Sequence, residues 1–167
     1  MTPEFLHEQI ILPGLGLIAP RYNSPKARAM LIAIALQESG LTYRQQMNCG
    51  PARGWWQFEW IGVRGARLHH RTGPECRAVC STMGYKDADS THLAIKDNDL
   101  LAVAVARLCL FSYPGPLPGE DEVVEGWVQY LERWRPGRPR REKWERNYRV
   151  AWEVVNAMQA DPLLSQG

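Results

Sequence analysis

Glu38, Ser39 and Gly40 close an apolar run, and the segment that follows, Gly50-Pro51-Ala52-Arg53-Gly54-Trp55-Trp56-Gln57-Phe58, crowds aromatic and amide side chains around glycines. A carboxyl group at a helix terminus beside such a turn is the set that breaking a glycosidic bond requires: an acid to protonate the leaving oxygen, aromatic faces for sugar C–H surfaces and amides for hydroxyls. Glu38 is the acid in this reading. Its chemistry depends on staying protonated near neutral pH, which partial removal from water achieves by disfavouring the carboxylate.

The element that must present Glu38 is legible upstream. Ser24-Pro25 reads as an N-cap with proline at the first helical position, and Gly40 as the glycine that ends the helix. Between them Ala27, Met30, Leu31, Ile34, Ala35 and Glu38 recur at three- and four-residue steps, which predicts that Glu38 shares an apolar stripe with Leu31 and Ile34. A glutamate in the last helical turn faces the negative end of the macrodipole, so its placement points to some benefit other than helix stability.

Glu38-Ser39-Gly40 followed by Gly54-Trp55-Trp56-Gln57 resembles the two leading motifs, E-S and G-L-M-Q, of the goose-type lysozyme and soluble lytic transglycosylase group. The resemblance implies a catalytic acid/base role for Glu38 and a supporting role for Ser39. It implies groove roles for Gly54 and Gln57, with Trp55 and Trp56 standing where leucine and methionine are usual. A wider likeness runs from about residue 25 to 155. The stretch Trp127-Val128-Gln129-Tyr130-Leu131-Glu132-Arg133-Trp134-Arg135-Pro136-Gly137, with Trp144 and Tyr148, is similar to small lysozyme-like proteins of tailed bacteriophages and prophages. By that resemblance the substrate is the peptidoglycan glycan strand, the bond is the one between its MurNAc and GlcNAc sugars, and phage tail or virion proteins are possible partners.

Two mechanisms remain open. A lytic transglycosylase works with one glutamate, which protonates the leaving oxygen and then lets the sugar 6-hydroxyl close an anhydro ring; an inverting hydrolase needs a second carboxylate to activate water. Glu59, directly after Gln57-Phe58, is the leading candidate for that second carboxylate. Asp97 and Asp99 read instead as acids of a first helical turn, which complement the helix dipole. Among the aromatics, Trp56 and Phe58 are expected to be shared between groove wall and core. Two proline-rich turns, Tyr113 to Pro118 and Trp134 to Pro139, could form the opposite wall, with Tyr113 and Trp134 as further groove candidates.

At 167 residues the chain fits one domain able to bury most of its apolar surface. Net charge is only +2, yet Arg133 to Arg149 carries eight arginines or lysines against two glutamates, a sign that suits a polyanion such as a bacterial wall. Met1-Thr2-Pro3-Glu4 lacks the basic start of a secretory signal, and no apolar segment is long enough to span a membrane. If the substrate is the wall, synthesis in the host cytoplasm and delivery by a virion, a holin-type pore or a secretion system are expected, a phage particle being the simplest carrier. The four cysteines, Cys49, Cys76, Cys80 and Cys109, are expected as reduced thiols. Cys76 and Cys80, near His69, His70 and His92, lack the second pair of a structural zinc site. Neither a metal nor a cofactor is expected.

The overall pattern is mainly α, a single lysozyme-like helical domain with a central buried helix and an active-site cleft, spanning 1–167 with an N-terminal segment 1–23 and a tail 161–167. Beyond the Glu38 helix, the sequence predicts an irregular connection from Gly62 to about Pro74 and a short helix Glu75 to Met83. A start near Asp89-Ser90-Thr91 comes next, then a helix buried all round over Leu100–Leu110, then helices Glu122 to Trp134 and Arg141 to Ala160. The alternative to an enzyme is a catalytically silent phage structural protein that binds wall glycan. A nucleic-acid module built on Arg133–Arg149 with Trp134, Trp144 and Tyr148 ignores the Glu38–Phe58 constellation, and no nucleic-acid partner is expected.

Overall fold

Helix formation in the computed structural model begins with local signals. It describes residues 1–45 and 50–160; Cys49 and the tail 161–167 lie outside the described residues. In Pro25–Ser39 the Ser24 hydroxyl accepts the Ala27 N–H at 3.2 Å, Pro25 opens the first turn, and Gly40 closes it at φ +56° with its N–H on the Leu36 carbonyl. A left-handed terminal residue of this kind costs glycine nothing.

Nine α-helical stretches are described, with a π-turn and a 3₁₀ turn near the N-terminus. They are α1 (Pro3–Phe5), α2 (Leu12–Leu15), α3 (Pro25–Ser39), α4 (Trp60–Leu68), α5 (Gly73–Thr82), α6 (Ala88–Ala94), α7 (Asp99–Phe111), α8 (Val123–Trp134) and α9 (Arg141–Ala160). The chain is mainly helical, and among the described residues it has no strand, only isolated bridges between Gln45 and Arg53 and between Arg53 and Phe58.

Two helices form the centre. Leu101 through Leu110 of α7 are buried on every side, as the all-apolar pattern predicts. The same is true of Ala29 through Ala35 of α3, so the stripe inferred for that helix is not a single face; the middle of α3 is enclosed, and its C-terminal end emerges at Leu36, Gln37 and Glu38. α3 lies against α7, but its most extensive partner is α9. Trp144, Tyr148, Ala151, Trp152 and Val155 bury one stripe of α9 at helical spacing. Gly126 lets α8 approach α9, since a Cβ there would stand 2.7 Å from the Tyr148 ring.

The N-terminal segment 1–23 packs into the fold: helical turns continue through Pro13 and Gly14, and Leu6, Ile10, Ile11, Leu15, Ile18 and Tyr22 enter the core. Gly14 packs so closely on α7 that a Cβ would meet Val103 Cβ at 2.6 Å. The region from Gly62 is not an irregular connection, because α4 runs Trp60–Leu68 straight through Gly62 and Gly65. Tertiary burial of Val63, Ala66 and Arg67 outweighs the helix-weakening glycines.

Candidate active site

The end of α3 opens into a cleft of about 1030 Å³. Leu36, Gln37, Glu38, Ser39 and Gly40 form its floor, and Gln57, Phe58 and Glu59 with Ile61, Gly62 and Gly65 of α4 form one side. The other side comes from Tyr130 and the run from Glu132 to Arg138, with Arg140 and Lys143. The two glycines that disguised α4 face this space, where side chains would narrow it.

Glu38 sits half-buried at the floor. Burial pushes its carboxyl up to about 7 from an ordinary 4.5; the Tyr130 hydroxyl, donating to Oε1 at 2.6 Å, opposes that rise, and the negative charge of Glu59 adds to it. Desolvation wins because the hydrogen bond returns only part of the hydration that a carboxylate loses. Tyr130 is fixed in turn by aromatic neighbours, its ring stacked on Trp144 at 5.2 Å and tilted against Trp127 at 5.3 Å. Its phenol is itself held above the usual range by burial first and by Glu38 second, so it stays a donor.

The Gly50–Phe58 segment is tied down from both sides. Arg53 and Phe58 exchange backbone hydrogen bonds at 3.0 and 2.9 Å around a tight turn in which Gly54 has φ +71° and Gln57 φ +47°. A Cβ on Gly54 would stand 2.8 Å from the Ile95 carbonyl oxygen, so only glycine lets this turn settle on the end of α6. The Trp56 indole N–H donates to the Leu31 carbonyl of α3 at 2.9 Å, and Trp134 donates to the Trp56 carbonyl at 2.9 Å. Arg44 anchors the approach to the turn by a two-pronged pair with Asp99 at 2.8 and 2.6 Å while lying over the Trp55 ring.

The structure brings together Glu38, Ser39, Gln57, Phe58, Glu59 and Trp134 at the cleft. It does not bring Trp56, Gly54 or Tyr113 there. Trp56 is fully buried and works as the peg that holds the motif turn on α3. Gly54 is buried under α6, and Tyr113 lies beyond the wall with the Arg133 guanidinium 5.9 Å from its ring. Ser39 is committed to the helix end, donating to the Ala35 carbonyl and accepting the Leu41 N–H. Gln57 turns its amide N–H back to the Gly54 carbonyl at 2.8 Å. Glu59 is exposed at the cleft edge, just before α4. Asp99 is taken by Arg44, and Asp97 lies with it outside the Glu38 cleft.

Sequence reasoning missed Tyr130 as the partner of Glu38, although it shares a helical face with Trp127 and Trp134 at three- and four-residue steps. It also missed Tyr43 and Ile61, two exposed apolar side chains that line the cleft. Cys109 underlies the cleft as a buried thiol pushed up to about 11 by burial. Cys76 and Cys80 are buried and free, and Cys76 shares its hydrogen with Cys80, which favours the Cys80 thiolate. His92 is engaged with the Phe58 carbonyl at 2.9 Å rather than with these thiols. No group of three or more metal-ligating side chains occurs among the described residues, and no helix among them is long and apolar enough to cross a membrane.

In comparison with known proteins, no family model, curated protein or solved structure matches this chain.

Proposed function

We infer that this chain cleaves the glycan strands of peptidoglycan, with Glu38 as the general acid. The observation that carries the reading is a carboxyl group that burial pushes up to about 7, at the floor of an open cleft, with one oxygen fixed by Tyr130. Near neutral pH such a group is half protonated, the condition under which an acid both holds its proton and gives it up readily. Glu38 donates that proton to the glycosidic oxygen as the C–O bond breaks. The resulting Glu38 carboxylate keeps the Tyr130 hydrogen bond, which stabilises the charge formed at that step.

The second half of the reaction takes one of two courses. Glu38, now a base, withdraws a proton from the sugar 6-hydroxyl as it closes the anhydro ring, or Glu59 withdraws a proton from water that attacks the opposite face of the sugar. The position of Glu59 on the cleft rim and its electrostatic reach to Glu38 support the second course. Gln57, Phe58, Trp134 and Tyr43 supply the polar and aromatic surface for the sugars. The reading sets the protein's work at the bacterial wall, with a phage particle as its carrier.

Digestion of purified sacculi by the protein and by Glu38→Gln, with mass spectrometry of soluble products, tests this. Glu38-dependent anhydro products identify a transglycosylase, and products one water heavier identify a hydrolase and make Glu59 the next residue to substitute. Absence of product from both proteins would favour a silent wall-binding protein instead.

A further inference from the structure

The cleft that holds Glu38 and Glu59 also carries a wall of cations that no acid among the described residues pairs with. Arg133, Arg135, Arg138, Arg140 and Lys143 all line it, and Glu132 is the sole carboxylate among the lining residues of that wall. Arg135, Arg138, Arg140 and Lys143 are exposed, and none of the five is in an ion pair among the described residues. What sets these five apart is that they gather on one cleft, whereas Arg21, Arg44 and Arg149 each stand beside a carboxylate, of Glu75, Asp99 and Glu145.

The wall is held by backbone and side-chain bonds that lead back to the acid. Gln37, the residue before Glu38, donates to the Arg140 carbonyl at 2.9 Å and accepts from Asn147 of α9 at 2.9 Å. Arg135 ends α8 in a left-handed conformation at φ +48°, which turns the chain along the cleft edge. Arg133 donates to the Ser112 hydroxyl at 3.0 Å, and its Nε is buried without a hydrogen-bond partner among the described residues. Like charges gathered on one wall repel one another, and a low-dielectric cleft floor strengthens their field toward an anion entering beside Glu38.

We propose that the Arg133–Lys143 wall is a subsite for anionic substituents borne by the glycan strand, so that the cleft selects acid-bearing over neutral glycan. The chemistry recognised is carboxylate or phosphate attached close to the scissile sugar. Guanidinium groups suit it because they take planar oxyanions two-pronged. This rests on the glycan-cleaving reading of Glu38 for its substrate and adds the wall as the determinant of which strand is taken.

The test compares native glycan strands from sacculi with strands whose carboxylates are converted to neutral methylamides, and with strands stripped of phosphate by hydrofluoric acid. The triple variant R138Q/R140Q/K143Q changes only exposed side chains. The protein is expected to cut native strands at least about tenfold faster in kcat/KM than methylamidated ones, each removed surface charge pair accounting for a few-fold at most. In the triple variant that ratio falls toward one. Loss of rate on methylamidation assigns the anion as carboxylate, and loss on phosphate stripping assigns it as phosphate.

Binding of Glu38→Gln to the same strands, followed by co-sedimentation, separates the two claims. Charge-selective binding with no cleavage by the parent protein leaves the wall standing and removes the catalytic reading. Cleavage with equal rates on native, methylamidated and phosphate-stripped strands overturns the wall and leaves Glu38 in place. Equal co-sedimentation with a DNA duplex and with native strands also overturns it, because the wall would then be a general polyanion surface.

Discussion

The floor of the cleft and its basic wall solve opposite electrostatic problems. At the floor, a single carboxyl is taken out of water and held by one hydroxyl within an aromatic cluster, so its charge is suppressed until the moment it is needed. Along the Arg133–Lys143 wall, Arg135, Arg138, Arg140 and Lys143 stay exposed to water, repel one another and have no ion pair among the described residues. Burial tunes a proton at the first, where a small displacement changes the chemistry. Hydration and number matter at the second, where each charge contributes modestly and salt screens the sum. Substitutions at the floor should therefore be all-or-none and those at the wall graded.

The largest effect expected is on turnover. Glu38→Gln keeps size and polarity but carries no acidic proton, and loss of general acid catalysis is worth about 10²–10⁴-fold. Release of soluble glycan from sacculi measures it, and a rate within about threefold of the parent would take Glu38 out of the mechanism.

The same substitution has a stability signature with a defined sign. Because the folded-state pKa of Glu38 lies above its ordinary value, the folded protein binds more protons than the unfolded chain between pH 4.5 and about 7, and stability falls as pH rises through that window. Glu38→Gln removes the penalty. The advantage of the variant over the parent in urea unfolding should grow by about 1–3 kcal/mol from pH 4.5 to pH 8, a conversion of the pKa shift with allowance for partial exposure. A constant difference across that range contradicts the burial account.

Gly126→Ala comes next. The new methyl group would stand 2.7 Å from the Tyr148 ring and 3.3 Å from Trp144, whose stack holds Tyr130. Overpacking of this kind costs about 1–3 kcal/mol, read as a lowered thermal midpoint. Any variant that still folds should also lose activity, since a shift of Tyr148 is passed to Trp144, whose stack positions the Tyr130 hydroxyl on Glu38.

Tyr130→Phe is the gentlest of the four. It removes a bond that favours the Glu38 carboxylate, so the carboxyl should rise above about 7 and the alkaline fall of kcat/KM should move to higher pH. A net stability cost of about 1 kcal/mol accompanies the lost bond. An alkaline limb that moves to lower pH would contradict the assignment of Tyr130 as the hydrogen-bond donor to the carboxylate.

How much of this could be read in the sequence depended on distance along the chain. The Glu38 helix was legible to the residue because Ser24, Pro25 and Gly40 act within a single turn of their own positions. The two last helices were legible for the same reason, one starting within a residue of the expected point and the other spanning Arg141–Ala160 as expected. α4 was hidden because Gly62 and Gly65 carry the local signature of a loop, while their value is to leave the cleft open. Trp56 and Phe58 looked alike in sequence, yet the turn at Gln57 sends the first into the core against Leu31 and leaves the second at the cleft edge. Tyr130 stands 92 residues from Glu38, and no local rule links the two. The basic stretch was visible as composition, but that five of its cations line the cleft, without an ion pair among the described residues, emerged only from the fold.

The central claim is that Glu38 holds its proton to near-neutral pH, and the direct measurement is a carbon-13 NMR titration of the glutamate side-chain carboxyls. One resonance, absent in Glu38→Gln, is predicted to titrate with a midpoint near 7. A midpoint at the ordinary 4.5 would show a hydrated carboxylate at the cleft floor and contradict the account.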